Sequence, residues 1–224
     1  RATALSITQA SESGLVYTPT EISALSAVAK DNGLSVHMDG ARFSNAVASQ
    51  QCTPAELSWK AGVDVLCLGA TKCGALCAEV VIFFNKELAA TFTHRRKRGG
   101  HLLSKGRVFG AQMVGWLQDD HWLDLAQYAN TQATQLAKQI ATFDRLQLVW
   151  PVESNELFVI MPKGLAVHLQ DAGAEFYDWY VTTLPPNILI DEDEMFARLV
   201  TSFVTQDSQC EAFCELIHDY FAAQ

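Results

Sequence analysis

Two short segments constrain the fold of this chain more than any other feature. Residues 18–21 (Thr-Pro-Thr-Glu) and 53–56 (Thr-Pro-Ala-Glu) share a threonine, then a proline at the first helical position, then a glutamate. This pattern begins α-helices. The first segment predicts a helix to about Asn32, before Gly33, and the second predicts a helix that stops at Gly62. Apolar runs predicted as strands lie at residues 4–8, 34–38, 63–68 and 78–84. The alternation of strands and helices predicts an α/β fold with a mostly parallel sheet.

A change of pattern in the second half of the chain predicts a smaller second domain. Residues 108–144 have a mostly helical pattern with a break at Asp119-Asp120, and Trp150-Pro151 then opens a new section. The elements predicted there are a strand at 157–161, a helix at 167–181, a strand at 197–204 and a helix at 208–221. We therefore expect a large domain with an interdomain helix over residues 1–145, and a small α+β domain over residues 146–224.

Composition and charge exclude several classes of protein. The 224 residues are 49% hydrophobic, which is enough to build a core and excludes a disordered chain. No apolar run approaches the roughly 20 residues of a membrane-spanning helix. A net charge of −9 argues against a general nucleic-acid binder. The cysteines form no Cys-x-x-Cys pair and the histidines show no metal-ligand spacing. We therefore predict no metal site, and reduced thiols in a cytoplasmic protein.

One segment carries the opposite charge to the chain as a whole. Between His94 and Arg107 there are six basic residues and no acid, and the rest of the chain has 10 basic and 25 acidic residues, a charge of −15. The six are Arg95, Arg96, Lys97, Arg98, Lys105 and Arg107. Such a run is usually a solvated face, and nucleic-acid binding is a less common alternative.

Polar residues follow two predicted strands of the first domain. Asp39 ends the first of these strands, Arg42 lies three residues later, and Lys72 follows the next strand and a Gly-Ala-Thr turn. Ligands of open parallel sheets bind beyond the carboxyl ends of the strands. An acid and a lysine there suit pyridoxal phosphate, because the amine forms a Schiff base and the acid keeps the pyridine nitrogen protonated. The alternatives are that Asp39-Gly40 is a simple turn and that Lys72 is a surface lysine.

Three motifs, in order, give the sequence a resemblance to a known family. They are His-Met-Asp-Gly-Ala-Arg at residues 37–42, Gly-Ala-Thr-Lys-Cys-Gly at 69–74, and Arg-Lys-Arg-Gly-Gly at 96–100 followed by Ser104-Lys105. Each motif is weak alone, but the ordered set resembles the L-threonine aldolase family. The resemblance continues through Arg-Leu-Val-Thr at 198–201 to the C-terminus. It implies the transferase-like fold type I of the pyridoxal-phosphate enzymes, with a mostly parallel large domain and a small α+β C-terminal domain.

The resemblance also implies roles for individual residues. Lys72 is the catalytic residue that bonds to pyridoxal 5'-phosphate, and Asp39 pairs with the pyridine nitrogen. Arg42 lies near the phenolic oxygen of the cofactor and the substrate carboxylate. Arg198 holds that carboxylate, since a guanidinium fork binds a carboxylate bidentately; without the family it is an ordinary strand arginine. Lys105 is the candidate for the cofactor phosphate.

The reaction implied by the resemblance is the cleavage of L-threonine, L-allo-threonine and related β-hydroxy-α-amino acids to glycine and an aldehyde. The implied assembly is a homo-oligomer, a dimer or, as in the family, a tetramer, with no nucleic-acid or membrane partner. Three alternatives stay open. They are another fold-type-I enzyme such as a β-eliminating lyase or aminotransferase, a non-catalytic fragment, and a nucleic-acid binder that uses the basic segment.

The sequence departs from the family pattern at two places. Cys73 stands where members commonly have asparagine, so a hydrogen bond made by that amide is lost or replaced. This cysteine is either a plain buried thiol or an oxidation-sensitive one. The N-terminal part of the family, with a phosphate loop, a stacking aromatic ring and a serine near the substrate carboxylate, has no counterpart here. We therefore expect the chain to be the C-terminal part of the family fold. His37 is expected to have a structural role beside the cofactor.

Overall fold

A computed structural model describes residues 2–224 of the chain. These residues divide into two compact units. The first contains residues 2–12 and 16–127, and the second contains residues 13–15 and 128–224. The change between the units falls within the helix His121–Ile140, and the domain boundary at residues 145/146 stays a prediction.

The first unit contains a four-stranded sheet in the order β1-β2-β3-β4. Its elements are β1 (Ala4–Thr8), α1 (Pro19–Asp31), β2 (Ser35–Gly40), α2 (Phe43–Gln50), β3 (Val65–Gly69), β4 (Glu79–Phe83), α3 (Phe92–Arg98), α4 (Gly106–Leu117) and the start of α5 (His121–Ile140). Strands β1, β2 and β3 are parallel, as predicted. Strand β4 is antiparallel to β3, because the connection between them contains one short turn rather than the long crossover that a parallel pair needs.

Helix α1 begins at the predicted capping box. The backbone N–H of Glu21 donates to the hydroxyl of Thr18 (3.2 Å) and the carboxylate of Glu21 accepts from the backbone N–H of Thr18 (2.8 Å). The second box forms the same reciprocal bonds between Thr53 and Glu56. It continues only as turns and a 3-10 segment at Trp59–Ala61, so the second α-helix prediction is wrong. The stretch is short, and the left-handed Gly62 (φ 99°) ends it before an α-helix can extend.

The two faces of the first sheet differ in character. Ile7, Met38 and Leu66 point into a core that also contains side chains of α1, α2 and α4. The alternate positions carry polar side chains, such as His37, which is half-buried, and Asp39, which is exposed. Because successive strand residues point to opposite faces, one face of this sheet is apolar and the other holds polar groups.

The second unit contains an antiparallel four-stranded sheet, in the order β5-β6-β8-β7, and its helices. Its elements are the rest of α5, β5 (Gln147–Leu148), β6 (Glu156–Pro162), α6 (Lys163–Asp171), β7 (Tyr177–Asp178), β8 (Glu194–Val200) and α7 (Asp207–Ala222). One sheet face packs with α5, α6 and α7, and the other forms an aromatic cluster. This α+β arrangement matches the predicted type of the small domain.

Two predicted elements of the second unit lie elsewhere. The helix expected at 167–181 is wrong, because α6 ends before Gly173, whose φ of 98° does not continue a helix. The strand expected at 197–204 is displaced toward the N-terminus as β8. Strand β8 ends before Thr201, whose hydroxyl donates a hydrogen bond to the carbonyl of Ala129 (2.7 Å). Among residues 2–224, no helix is long and apolar enough to cross a membrane.

The capping box of α1 gives a stability prediction. Replacing Thr18 with Ala leaves the backbone N–H of Glu21 without its side-chain acceptor. The change should lower the free energy of unfolding by about 1 kcal/mol. Thr20→Ala, at an exposed position of the same helix turn, should change it by less than about 0.5 kcal/mol. Urea unfolding of both variants measures the difference.

The same contact gives a pH dependence. Hydrogen bonds from the backbone and then the hydroxyl of Thr18 lower the pKa of Glu21 from its ordinary value of 4.5. The folded state therefore gains stability from the charged carboxylate at pH above 4.5. This gain is lost as the pH falls through the lowered pKa. The difference between Thr18→Ala and the wild type should shrink on acidification, and a difference that grew would contradict this assignment.

Candidate active site

Asp39 lies near the carboxyl end of β2. Its side chain is exposed, and its Oδ1 accepts the backbone N–H of Ala41 at 3.0 Å. Gly40 follows in close contact with β3, because a Cβ on it would come within 2.7 Å of the carbonyl oxygen of Cys67. Arg42 flanks the N-terminus of α2, half-buried, with its Nε screened from solvent. The turn therefore fixes the backbone of Asp39 and leaves its carboxylate accessible.

Lys72 lies in a short 3-10 turn, Thr71–Cys73, after β3. The turn is tied to the start of β4: the hydroxyl of Thr71 donates to Glu79 (2.9 Å) and accepts the N–H of Ala78 (3.3 Å). The N–H of Ala70 also donates to the carbonyl of Ala78 (3.1 Å). The Lys72 side chain is exposed and makes no ion pair within residues 2–224. The fold thus holds its backbone and leaves its amine open to a reactant.

Gly69 brings the Asp39 turn and the Lys72 turn together. A Cβ on Gly69 would lie 2.9 Å from the Cα of Ala41 and 2.9 Å from a carboxylate oxygen of Glu79. Only a residue without a side chain permits this approach, since real Cβ atoms do not come so close to backbone. The structure therefore places Asp39, Arg42 and Lys72 on two adjoining turns, at the strand ends where the sequence predicts them.

A polar row crosses the sheet beside Asp39. Ser6 Oγ lies 2.8 Å from His37 Nδ1, and His37 Nε2 lies 3.3 Å from the Sγ of Cys67. Burial, and then the negative charges of Asp39 and Glu79, raise the pKa of Cys67, so this thiol stays protonated. The row agrees with the expectation of a structural role for His37, whose ring is held at both nitrogens. Ser6 and Cys67 are members that sequence reasoning missed, although the alternation of each strand places them on this face.

Cys73 is a core residue. The indole N–H of Trp116 donates to its carbonyl oxygen (2.6 Å), and its thiol donates to the carbonyl of Trp122 (3.6 Å). Burial raises its pKa, which disfavours the reactive thiolate. Of the two possibilities for this position, the structure supports the plain buried thiol, and its hydrogen bond goes to the protein core.

The basic segment covers most of α3, the connection to α4 and the first residues of α4. All six of its cationic side chains are exposed. Lys105 directly precedes α4, and its side chain makes no hydrogen bond or ion pair with any residue from 2 to 224. Lys105 therefore forms no hydrogen bond or ion pair with Asp39 or Lys72 in the described part of the chain, and its role at the cofactor phosphate stays a prediction.

Arg198, in the second unit, is surrounded by groups that suit a cation. Its Nη1 lies 3.5 Å from Oε1 of the buried Glu156, and its guanidinium carbon lies 4.2 Å from the ring centre of Trp179. Sequence reasoning found Arg198 and missed both neighbours. An acid at the start of the apolar run at residues 157–161 is the signal that could have found Glu156, because a buried carboxylate needs a partner.

The first unit fits the group that its donor set implies. Pyridoxal phosphate needs an accessible lysine amine for its covalent bond and a carboxylate for its pyridine nitrogen. Lys72 and Asp39 supply these as exposed side chains on fixed turns, and the contact of Gly69 with Ala41 makes the two turns adjoin. Nothing in the geometry of these three residues opposes the assignment.

The fold is that of the fold-type-I pyridoxal-phosphate enzymes. Residues 1–163 match the family model described as beta-eliminating lyase. The chain is 28% identical to a threonine aldolase of Leishmania major, with a TM-score of 0.87 over 97% of this chain and 61% of that one. The Oryza sativa TDC, solved with PLP and tryptamine, shares the fold at 15% identity, with a TM-score of 0.66 over 97% of this chain and 48% of that chain.

The chain belongs to the beta-eliminating lyase family. It is 49% identical to the low-specificity L-threonine aldolase of Pseudomonas aeruginosa over 173 residues, 77% of this chain and 50% of the relative. The chain thus spans about half the length of the curated relatives that it matches. The predicted family group and fold class are confirmed.

The contact at Gly69 gives a prediction about the site. Gly69→Ala forces backbone apart or displaces Glu79, and should lower the free energy of unfolding by about 1–3 kcal/mol. Gly110→Ala is the matched control, because this α4 glycine has nothing within 4 Å of an added Cβ. It should be neutral or stabilising by up to about 1 kcal/mol. Equal urea midpoints for the two variants would show that the turns tolerate a methyl group.

Proposed function

We propose that the protein is a pyridoxal-phosphate-dependent aldolase. It cleaves L-threonine, L-allo-threonine and related β-hydroxy-α-amino acids to glycine and an aldehyde. The observation that carries the proposal is the pairing of exposed Asp39 and Lys72 on adjoining turns. The identity to a named low-specificity L-threonine aldolase supports this activity over other reactions of the same fold.

Each predicted site residue has a place in this proposal. Lys72 would hold the cofactor through its side-chain amine. Asp39 would face the pyridine nitrogen, and its carboxylate would hold the proton there. Arg42 would contact the phenolic oxygen and the substrate carboxylate, Lys105 would contribute to the phosphate site, and Arg198 would bind the substrate carboxylate.

The chemistry divides between cofactor and protein. When bound, pyridoxal phosphate withdraws electrons from the substrate carbon at which the carbon–carbon bond breaks. The protein supplies orientation and charge. Asp39 keeps the ring nitrogen cationic, because a carboxylate close to a pyridinium favours the protonated form. Arg198 would fix the carboxylate and so decide which substrate bond is aligned for cleavage.

The assembly and location are further parts of the proposal. We infer a homo-oligomer, a dimer or a tetramer, because the resemblance implies active sites built at subunit interfaces. The exposed apolar side chains of the basic segment and α4, among them Leu102, Leu103 and Val108, support a protein interface there. Free thiols at all six cysteines agree with the proposed cytoplasmic location.

Covalent trapping tests the lysine. Borohydride reduction of the full-length protein loaded with pyridoxal phosphate should fix the cofactor on Lys72, detected by mass spectrometry of the peptides. Lys72→Ala should abolish the adduct and the activity. Lys86→Ala, another exposed lysine of the same unit, should change neither. An adduct on any other lysine would overturn the assignment of Lys72.

Substrate assays test the reaction. L-Threonine, L-allo-threonine and phenylserine should each give glycine and the corresponding aldehyde, measured by coupled aldehyde reduction. Because the matching family is described as beta-eliminating lyase, a β-elimination substrate should be tested beside them. L-Serine is suitable, since its β-elimination yields pyruvate. Pyruvate release without aldehyde release from the first three would identify a β-eliminating lyase instead. A protein that binds no cofactor would be the non-catalytic alternative.

A further inference from the structure

We propose that Glu156 and Trp179 are positioning residues that orient the guanidinium of Arg198 for the substrate carboxylate. This inference rests on the proposed function, because it deepens how one substrate group is recognised. The two residues act from different directions: Glu156 contacts one nitrogen of the guanidinium, and Trp179 covers one of its faces.

Backbone and ring contacts fix the orientation of the Trp179 indole ring. Its backbone N–H donates to the carbonyl of Phe196 (2.6 Å). Its ring packs edge-on against Phe158, with ring centres 5.7 Å apart. The guanidinium carbon of Arg198 lies 4.2 Å from the ring centre, well inside the range of a cation–π contact. Since Phe158 pairs with Arg198 across β6 and β8, the indole ring and the arginine are anchored to the same part of the sheet.

Glu156 fixes the second direction. Its side chain is 1% exposed, and its Oε1 lies 3.5 Å from Nη1 of Arg198. Its position is limited from another side by Gly14, where an added Cβ would lie 3.2 Å from the Cβ of Glu156. The Arg198 side chain remains 24% exposed. The inner end of the fork is therefore paired with a buried anion while part of the side chain still reaches solvent.

This arrangement suits orientation better than stability. A buried ion pair adds little net stability, because desolvation of both charges offsets their attraction. An arginine side chain is long and loses much rotamer entropy when it is fixed. If the Arg198 side chain is already fixed in the free protein, its rotamer entropy is lost on folding and not on substrate binding. Preorganisation of this kind raises affinity. One oxygen of Glu156 engages one nitrogen, whereas the guanidinium has five N–H donors in a fork that matches a carboxylate.

Kinetics of Trp179 variants test the proposal on the full-length holoenzyme. Trp179→Leu should raise the KM for L-threonine by about fivefold, the size of one cation–π contact, with kcat within about twofold of wild type. Trp179→Phe keeps an aromatic face and should restore most of the affinity. Trp150→Leu is the matched control, because Trp150 packs on the same Phe158, whereas the aromatic ring against Arg198 is that of Trp179. It should leave KM unchanged.

A carboxylate-specific readout separates orientation from general packing. Calorimetric titration of the holoenzyme should give a preference for glycine over glycinamide, which lacks the negative charge. Trp179→Leu and Glu156→Gln should each reduce that preference by about fivefold by weakening glycine binding, while the Kd of glycinamide stays constant. Glu156→Gln retains the shape and an acceptor oxygen, and if it fails to fold, the Trp179 variants still decide.

The outcomes distinguish the inference from the proposed function. A wild-type protein that turns over no β-hydroxy-α-amino acid overturns the proposed function. If the wild type is active but Trp179→Leu and Trp150→Leu have the same effect on KM, the positioning role is overturned. An unchanged ratio of glycine to glycinamide affinity in the Trp179→Leu variant overturns it equally.

Discussion

The close approach of Gly69 to Ala41 is the contact on which the candidate site depends. A methyl group at residue 69 would lie 2.9 Å from the Cα of Ala41, so the two turns adjoin only because this position has no side chain. Hydrogen bonds from the backbone N–H of Ala41 to Asp39 and from the hydroxyl of Thr71 to Glu79 then fix each turn. Because backbone contacts fix the positions of Asp39 and Lys72, their side chains need no packing contacts and can stay exposed to a reactant.

In the second unit, side-chain contacts rather than a turn orient the candidate site residue Arg198. Arg198 lies in mid-strand, where no turn can set the direction of its long side chain. Side-chain contacts do so instead: a buried carboxylate at one nitrogen and an indole ring at one face. The aromatic cluster that holds this ring is made from alternate residues of β6 and β8. The apolar surroundings of this cluster also strengthen the attraction between Glu156 and Arg198, because charges interact more strongly away from water.

Local signals explain what the sequence predicted well. Strand β1 and helix α1 lie where alternation and the capping box place them, and Asp39 and Lys72 follow from their positions after strands. Helix α2 was missed because its N-cap residue, Arg42, makes no side-chain capping hydrogen bond. Glu156 and Trp179 were missed for another reason: they lie 42 and 19 residues from Arg198 in the chain, and only tertiary pairing brings them together.

The polar face of the first sheet limits what can lie on it. Strands of parallel sheets are usually apolar on both faces because helices cover both, yet here Ser6, His37 and Cys67 form a row next to Asp39. The raised pKa of Cys67 matters for this row. A thiolate would add a further negative charge beside Asp39 and Glu79 and compete with Asp39 for a cationic partner. With the thiol protonated, that competition is absent, and the exposed carboxylate of Asp39 can supply the charge that a protonated pyridine nitrogen requires.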